Sequence, residues 1–390
     1  MTEAGTTVAQ TTIPFNRPGL EGNELDYIRQ SLESGHTSSG GPFAKRASSL
    51  LAAETGASEV LLTTSCTSAL ELSAMLLDLQ PGDTVIVPSF TFTTTALAFV
   101  RQGARIKFCD IEPTTLGIDT THLRTLLDDS VRAVIPVHYA GVACDVDGVR
   151  AALSDRPDIA VIEDNAHGLY GRWRGRPLGS LGRMASLSFH ETKNFVCGEG
   201  GALLLNDAAD VDRARVLYDK GTNRRAFFLG QVDKYSWKDT GSSFGLSDTL
   251  AAYLTAQLEQ HAVIQGKRKA VFDRYAEHLL PHAAEQNLRL PVVPSHCDPA
   301  YHMFYVLLSD RATRDAVLSA MRVEGISCTF HYVPLHSSEA GRKFAAAEAD
   351  CPITDDISGR LLRLPFYNDL TSDDARRVVE SLLMALRGSN

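Results

Sequence analysis

Three short polar segments in this 390-residue chain each follow an apolar run, and their side chains could do chemistry. Asp164 closes one such run, and Lys193 lies between a second run and a glycine-rich segment. The third segment, 64–68, places hydroxyl groups just before a predicted helix. Taken singly, each has an ordinary explanation: a solvated acid, a surface lysine, and a Ser/Thr helix cap. Their combination is more informative.

Together the three segments supply what pyridoxal phosphate (PLP) requires. Lysine forms a Schiff base with the cofactor's aldehyde, and Lys193 is one of only nine lysines in the chain. A carboxylate such as Asp164 keeps the pyridine nitrogen protonated, and the start of a helix binds the phosphate. Either Phe92 or His167 could supply a flat group against the ring. The sequence therefore predicts a PLP site where these segments meet.

An α/β lobe must position these segments. Short β-branched runs alternate with amphipathic segments of helical length. The predicted strands are 83–88, 104–111, 132–138, 159–164, 185–190 and 201–206. Strands that consist of continuous apolar runs indicate a mostly parallel sheet covered on both faces. Ligands of such sheets bind beyond the carboxyl ends of the strands, which is where Asp164 and Lys193 lie.

The pattern changes after about residue 255. The predicted elements are a long helical stretch, a strand, a helix, an extended segment and a closing helix, at 253–286, 301–308, 312–324, 326–335 and 372–386. We divide the chain into a large PLP-binding domain, 1–264, and a smaller C-terminal α+β domain, 265–390. The N-terminal segment could pack on the smaller domain.

Composition narrows the classes of function. The net charge of −9 argues against a nucleic-acid-binding protein, which usually needs a basic face. The seven cysteines are scattered without zinc-ligand spacing, so we expect reduced thiols and no metal site. Since the sequence shows neither a signal peptide nor a run of about 18 apolar residues, we expect a cytoplasmic protein without membrane contact.

The strings LLTTSCTSALE, VIVPSFTFTTTA, VIEDNAHG, SLSFHETKN, GEGGALLLN and FHYVPLH resemble the DegT/DnrJ/EryC1/StrS sugar aminotransferases. The resemblance runs from about Ile13 to Leu386 and is strongest to the group that makes dTDP-4-amino-4,6-dideoxyhexoses. It implies a fold type I, aspartate aminotransferase-like large domain and a homodimer with active sites at the interface. It also implies transfer of an amino group from L-glutamate to dTDP-4-keto-6-deoxy-D-glucose.

The resemblance assigns residues to roles. Lys193 would bind PLP covalently and carry protons, Asp164 would pair with the pyridinium, and His167 would contact the ring or its O3′. Phe92 would stack on the ring. The phosphate contacts would come from Cys66, Thr67, Ser68 and Ser188. Two positions depart from the family: Cys66 stands where Gly or Ala is frequent, and Ser247 where many members have an Asn that reaches the phosphate in the neighbouring subunit.

Residues for the nucleotide sugar are harder to assign. The loop 221–239 offers aromatic side chains and four cations for the diphosphate: Arg224, Arg225, Lys234 and Lys238. The same loop could be merely a solvated charged segment. His331 and Tyr332 match a segment that faces the sugar in the family, although a single histidine is more often structural.

Several alternatives stay open at this point. The product could have the gluco or the galacto configuration, and the excess of arginine over lysine favours the gluco product of an antibiotic pathway. Transfer at C3 is a second alternative within the family. The dehydratase branch has His in place of the cofactor lysine, so Lys193 argues against it. A rival outside enzymes is a catalytically silent regulator that binds a nucleotide sugar.

Overall fold

The computed structural model of the protein describes residues 12–228 and 230–389. The strands are β1 (Glu59–Thr63), β2 (Thr84–Pro88), β3 (Arg105–Cys109), β4 (Val131–Val134), β5 (Ala160–Asp164), β6 (Arg172–Trp173), β7 (Arg176–Pro177), β8 (Met184–Ser188), β9 (Gly201–Leu205), β10 (Cys297–Asp298), β11 (Tyr305–Leu307) and β12 (Leu361–Arg363). The helices are α1 (Glu24–Glu33), α2 (Pro42–Thr55), α3 (Cys66–Leu76), α4 (Thr94–Val100), α5 (Thr120–Leu126), α6 (Val146–Ala152), α7 (Val211–Tyr218), α8 (Arg224–Phe228), α9 (Asp248–Glu259), α10 (His261–Leu279), α11 (Arg311–Val323), α12 (Glu339–Phe344), α13 (Pro352–Arg360) and α14 (Ser372–Ser389).

The main sheet has seven strands in the order β1-β9-β8-β5-β4-β2-β3. The five strands from β8 to β3 pair in parallel, whereas β9 runs antiparallel to both β1 and β8. Every residue of β2 and β9 is buried, as expected for strands covered by helices on both faces. The predicted α/β lobe with a mostly parallel sheet is confirmed.

This topology brings the candidate residues to one edge of the sheet. The carboxyl ends of β1, β2, β5 and β8 lie at the same edge, and β9 begins there because it runs the other way. Gly201, the first residue of β9, lies so close to α3 that an added Cβ would approach the Cys66 nitrogen to 2.4 Å. Only glycine permits this contact, so β9 can pass directly beside the start of α3.

A second hydrophobic core surrounds the two-stranded sheet of β11 and β12. Helices α10, α11 and α14 contribute to it, and so does Ile13, whose N–H donates to the carbonyl of Gly325 at 2.9 Å. The N-terminal segment from residue 12 therefore packs against elements from the C-terminal third of the chain. The domain boundary at residue 264 stays a prediction.

Two predicted elements differ from the structure. The stretch 253–286 is two helices, α9 and α10, divided at Gln260. The strand predicted at 301–308 is limited to Tyr305–Leu307, since Tyr301 adopts a positive φ of 49°. The segment 326–335, predicted as extended, forms isolated bridges at Ile326 and Thr329 and crosses to the main sheet, where the Leu335 N–H donates to the Ser89 carbonyl. No helix within the described residues is long and apolar enough to span a membrane.

Candidate active site

A cavity of about 350 Å³ opens at the carboxyl edge of the main sheet. One wall comes from the segments that follow β1, β2, β5 and β8, and it includes Asp164 and Lys193. The opposite wall comes from the C-terminal third of the chain and includes His302, His331 and Arg363. Residues separated by up to about 300 positions in sequence thus face the same space.

Lys193 lies on the turn that joins β8 to β9. Its neighbour Asn194 fixes the turn, because the amide Nδ2 donates to the Ala300 carbonyl at 2.6 Å and Oδ1 accepts from His302 Nδ1 at 2.7 Å. Burial lowers the pKa of Lys193 to about 8, and the positive charge of Arg363 acts in the same direction while Asp164 opposes both. Within the described residues the Lys193 amine has neither an ion pair nor a hydrogen bond, so it is available to a ligand.

Asp164 ends β5 and is held by a chain of hydroxyl groups. Thr95 Oγ1 donates to Asp164 Oδ2 at 2.7 Å, and Thr91 Oγ1 lies 2.9 Å from Thr95 Oγ1. Because the Thr95 proton points to the carboxylate, Thr91 must be the donor in the second bond. Both threonines are buried, so the carboxylate is oriented by groups that water does not reach.

The preceding residue, Glu163, points to the other side of β5 and has a different environment. Its carboxylate is fully buried and accepts the backbone N–H groups of Gly179, Leu181 and Gly182 at 2.7–2.8 Å. His138 Nε2 lies 2.9 Å from the same carboxylate. These bonds tie the loop after β7 to β5, so Glu163 fixes the strand that presents Asp164.

Helix α3 begins beside the cavity. Ser65 is its N-cap, since its side chain accepts the Ser68 N–H at 3.0 Å, and the backbone nitrogens of Cys66 and Thr67 start the helix at the cavity wall. Burial raises the pKa of the Cys66 thiol to about 12, so this side chain stays neutral. The positive end of the helix dipole thus faces the cavity together with Ser188.

Three imidazole rings lie together in the cavity: His167 from the segment after β5, and His302 and His331 from the C-terminal third of the chain. His167 stacks on His302 with ring centroids 4.1 Å apart, and His331 lies 6.4 Å beyond His167 with nearly parallel planes. Burial lowers the pKa of all three well below the usual value, and the nearby cations Lys193 and Arg363 add to this effect. The three imidazole rings are therefore neutral near pH 7. His167 Nδ1 is buried and has no hydrogen-bond partner in the part of the chain that the structure describes.

Arg363, at the end of β12, fixes the tautomer of His331. Arg363 Nη1 lies 3.1 Å from His331 Nε2, and a guanidinium can only donate. His331 Nε2 must therefore be the acceptor, so the ring proton is on Nδ1, which donates to the Tyr139 hydroxyl at 3.1 Å. Tyr332 stacks on His331 at 3.6 Å and also lines the cavity.

Comparison with known proteins decides the family. The sequence matches the DegT/DnrJ/EryC1/StrS aminotransferase family over residues 18–383. The chain belongs to the DegT/DnrJ/EryC1/StrS aminotransferase family. It is 30% identical over 388 residues, 97% of this chain and 98% of the relative, to the spore coat polysaccharide biosynthesis protein SpsC of Bacillus subtilis (strain 168).

Two solved structures of aminotransferases are similar over nearly the whole chain. TlmJ of Streptoalloteichus hindustanus has a TM-score of 0.88 and 28% identity, with 97% of this chain and 99% of that chain covered. DesV of S. venezuelae, solved in complex with a ketimine intermediate, has a TM-score of 0.87 and 29% identity, with coverage of 96% and 98%. The fold type I architecture is confirmed, and this member of the DegT/DnrJ/EryC1/StrS family is a PLP-dependent sugar aminotransferase.

The residues present fit the cofactor of this family. The cavity offers the Lys193 amine, the Asp164 carboxylate and the start of α3. Among the described residues, the buried Nδ1 of His167 has no hydrogen-bond partner, so it can bind a polar group of the cofactor. The Phe92 ring lines the cavity with 57% of the residue exposed, so its face is open to a planar group. When bound, PLP would be held by Lys193 and would supply an electron sink for the carbon that carries the reacting amine.

Most of the predicted residues meet at this cavity. Those that line it are Cys66, Thr67, Phe92, Asp164, His167, Ser188, Lys193, His331 and Tyr332. Ser68 does not line it, because its hydroxyl lies between those of Thr64 and Ser65 at 2.9 and 3.1 Å within the first turn of α3.

The remaining predicted residues lie away from the cavity of their own chain. Arg224 is exposed at the start of α8, and Ser247 caps α9 by accepting the Leu250 N–H. The side chain of Arg225 lies outside what the structure describes. Lys234 and Lys238 belong to the same segment as Arg224 and do not line the cavity.

Sequence reasoning missed four residues that shape the site: Thr95, Asn194, His302 and Arg363. Thr95 lies within a threonine-rich string, and Asn194 directly follows the lysine, so proximity to the predicted residues was their only signal. His302 and Arg363 belong to elements that the sequence placed in the smaller domain, and nothing local indicated that they reach Lys193.

Proposed function

We propose that this aminotransferase converts dTDP-4-keto-6-deoxy-D-glucose into a dTDP-4-amino-4,6-dideoxyhexose, with L-glutamate as the amino donor and the gluco product preferred to the galacto product. The observation that carries the proposal is that Lys193 and Asp164 share the cavity with neutral imidazole and phenol groups, those of His167, His331 and Tyr332. An uncharged sugar ring offers hydroxyl groups that suit such hydrogen-bonding partners.

The environment of Lys193 suits a residue that transfers protons during amino-group transfer. Lys193 would hold bound PLP through its amine, and the same amine, when free, would take up and release the proton at the carbon that carries the donor's amine. A pKa near 8 keeps an appreciable share of the amine neutral at pH 7, whereas an ordinary lysine is almost wholly charged. Asp164, fixed by Thr95, would hold a proton on the pyridine nitrogen and thereby favour loss of the donor proton.

We also propose a cytoplasmic homodimer whose active sites lie at the interface. Ser247 and Arg224 lie outside the cavity of their own chain, as residues that act in the neighbouring subunit would. The Trp237 residue in the same segment as Arg224 is 82% exposed, which is unusual for such a large apolar side chain and fits burial against a second subunit. Sedimentation of the holoenzyme at the mass of one chain would contradict this.

The proposed function is tested with purified holoenzyme. L-glutamate should bleach the visible band of the lysine-bound cofactor, and the dTDP-4-keto sugar should restore it. Proton coupling constants of the product then give the position and configuration of the new amine. An amine at C3 would identify the sibling reaction, and a protein that binds the sugar without turnover would be the silent regulator.

A matched pair of variants tests the role of Lys193. Lys193→Ala should lose the visible band entirely, because Lys193 is the only lysine among the described residues that line the cavity. Lys220→Ala, which removes a surface lysine paired with Asp219, should keep it. A persistent band in the first variant would contradict the assignment.

A further inference from the structure

His302 lies in a short segment, 300–302, whose backbone is held from two sides. Arg268 of α10 donates from Nε to the Tyr301 carbonyl at 2.9 Å and from Nη2 to the His302 carbonyl at 2.7 Å. On the other side, the Ala300 N–H donates at 2.9 Å to a carbonyl of the segment that follows β4. His302 is buried among these contacts, so its ring has one well-defined place beside the cavity.

The edge of the His302 ring is bonded to the residue that follows Lys193. Asn194 Nδ2 donates to the Ala300 carbonyl, which can only accept, so Asn194 Oδ1 is the atom that faces His302. Because this oxygen also can only accept, the 2.7 Å bond requires a proton on His302 Nδ1. His302 and Ala300 thus hold both ends of the Asn194 amide, and with it the turn that carries the reactive amine.

The face of the same ring supports His167. The two rings stack with centroids 4.1 Å apart and planes 14° apart, whereas the next nearest rings, Tyr139 and His331, lie 6.0 and 6.4 Å from His167. Within the described part of the chain the His167 side chain makes no hydrogen bond. Its orientation in the cavity therefore depends mainly on the stack with His302.

We propose that His302 is a positioning residue that aligns two of the groups facing PLP at once: the turn of Lys193, through its Nδ1–H, and the ring of His167, through its face. The two contacts use different parts of one imidazole, so neither excludes the other. A residue that only filled space would affect both partners alike when replaced. A positioning residue with two separate contacts predicts that each can be removed without the other.

Two substitutions separate the contacts. His302→Asn keeps an N–H donor near the place of Nδ1 but loses the ring. His302→Phe keeps a ring face but loses the donor, which leaves Asn194 Oδ1 buried without a bond. Tyr275→Phe is the control, because it removes a buried hydrogen bond, from the Tyr275 hydroxyl to the Pro365 carbonyl at 2.8 Å, outside the cavity.

The first readout is the rate at which the apoenzyme takes up PLP at about pH 10. Lys193 is then neutral, so the rate reports how the amine is aligned rather than how it is protonated. His302→Phe should be slower than the wild type by about 5–150-fold, the factor that corresponds to an unpaired buried oxygen. His302→Asn should stay within about threefold of the wild type, and the control should be unchanged.

The second readout is the NMR spectrum of the apoenzyme with labelled histidines, in which the His167 signals are assigned by their loss in His167→Gln. A stacked ring displaces these signals upfield. The displacement should be present in the wild type, the control and His302→Phe, and it should disappear in His302→Asn. Slow uptake with a retained stack in one variant, and normal uptake with a lost stack in the other, is the pattern that supports the proposal.

Three outcomes overturn the proposal: both His302 variants take up PLP as fast as the wild type, both are slowed equally, or both show the same change in the His167 signals. If His302→Phe does not fold, Asn194→Ala breaks the same bond from the other end and should give slow uptake with an unchanged His167 signal; normal uptake in it also overturns the proposal. Neither readout contains glutamate or a sugar, so failure of the proposed function would leave both unchanged.

Discussion

The lowered pKa of Lys193 predicts how fast the apoenzyme takes up PLP at each pH. Only the neutral amine attacks an aldehyde. With a pKa of about 8, about one Lys193 in ten is neutral at pH 7, whereas at the ordinary value of 10.5 the fraction is about one in 3,000. Capture at pH 7 should therefore be about 300-fold faster than for an unperturbed lysine of equal access.

The assay mixes apoenzyme with PLP in a stopped-flow instrument and follows growth of the visible band between about pH 6 and pH 10. Nα-acetyl-lysine in the same buffers corrects for ionisation of PLP itself. The corrected rate should rise with pH and level off with a midpoint at about 8 for the enzyme, compared with about 10 for the free amine.

Two variants should shift the pH midpoint of PLP uptake in opposite directions. Asp164→Asn removes a negative charge that favours the protonated amine, so the midpoint should move to lower pH. Arg363→Gln removes a positive charge that opposes protonation, so the midpoint should move to higher pH. A wild-type midpoint near 10, or shifts of the opposite sign, would refute the electrostatic reasoning.

Two further predictions concern the hydrogen bonds of the adjacent acids Asp164 and Glu163. Thr95→Val should weaken PLP binding about tenfold, because the buried hydrogen bond from Thr95 to the Asp164 carboxylate is lost. Equilibrium dialysis measures the affinity for PLP, and Thr125→Val on α5 is the control. Glu163→Gln should lower the free energy of unfolding by about 2 kcal/mol in urea titrations. Although burial alone would raise the pKa of Glu163, the bonds from His138, Gly182 and Gly179 hold it below 4.5. Its contribution is complete above that pH and disappears as the pH falls through the lowered value, so the difference between wild type and variant should shrink in acid; a constant difference would argue against the assignment.

The sequence was informative where the signal is local. Continuous apolar runs predicted six of the seven strands of the main sheet within a few residues, because strands buried on both faces contain little else; β1 was not among the predicted strands. Asp164 and Lys193 were found for the same reason, since a polar residue directly after such a run must lie at the edge of the sheet. The prediction that Ser68 contacts the phosphate rested on its hydroxyl group alone. In the structure that hydroxyl bonds to those of Thr64 and Ser65 in the first turn of α3.

The sequence was silent where the site depends on long-range contacts. Asn194 bonds to His302 across 108 positions, and Arg363 reaches the cavity from β12. Neither relation leaves a periodic pattern, because each depends on how the chain crosses from the main sheet to the core around β11 and β12. The segment 326–335 illustrates the difficulty: the sequence predicted only an extended segment, and nothing in it indicated that His331 lines the cavity.

The adjacent acids of β5 show what a register error would mean in this enzyme. Glu163 and Asp164 are chemically alike, yet alternate residues of a strand face opposite sides, so one serves the scaffold and the other serves the cavity. Inserting one residue between 160 and 163 would move Glu163 to the cavity side and leave no acid on the scaffold side, and deleting one would bring Asn165 to the cavity side in place of Asp164. After the insertion the cavity would still contain a carboxylate, but the longer Glu side chain would meet Thr95 in the wrong position and the loop after β7 would lose its acceptor.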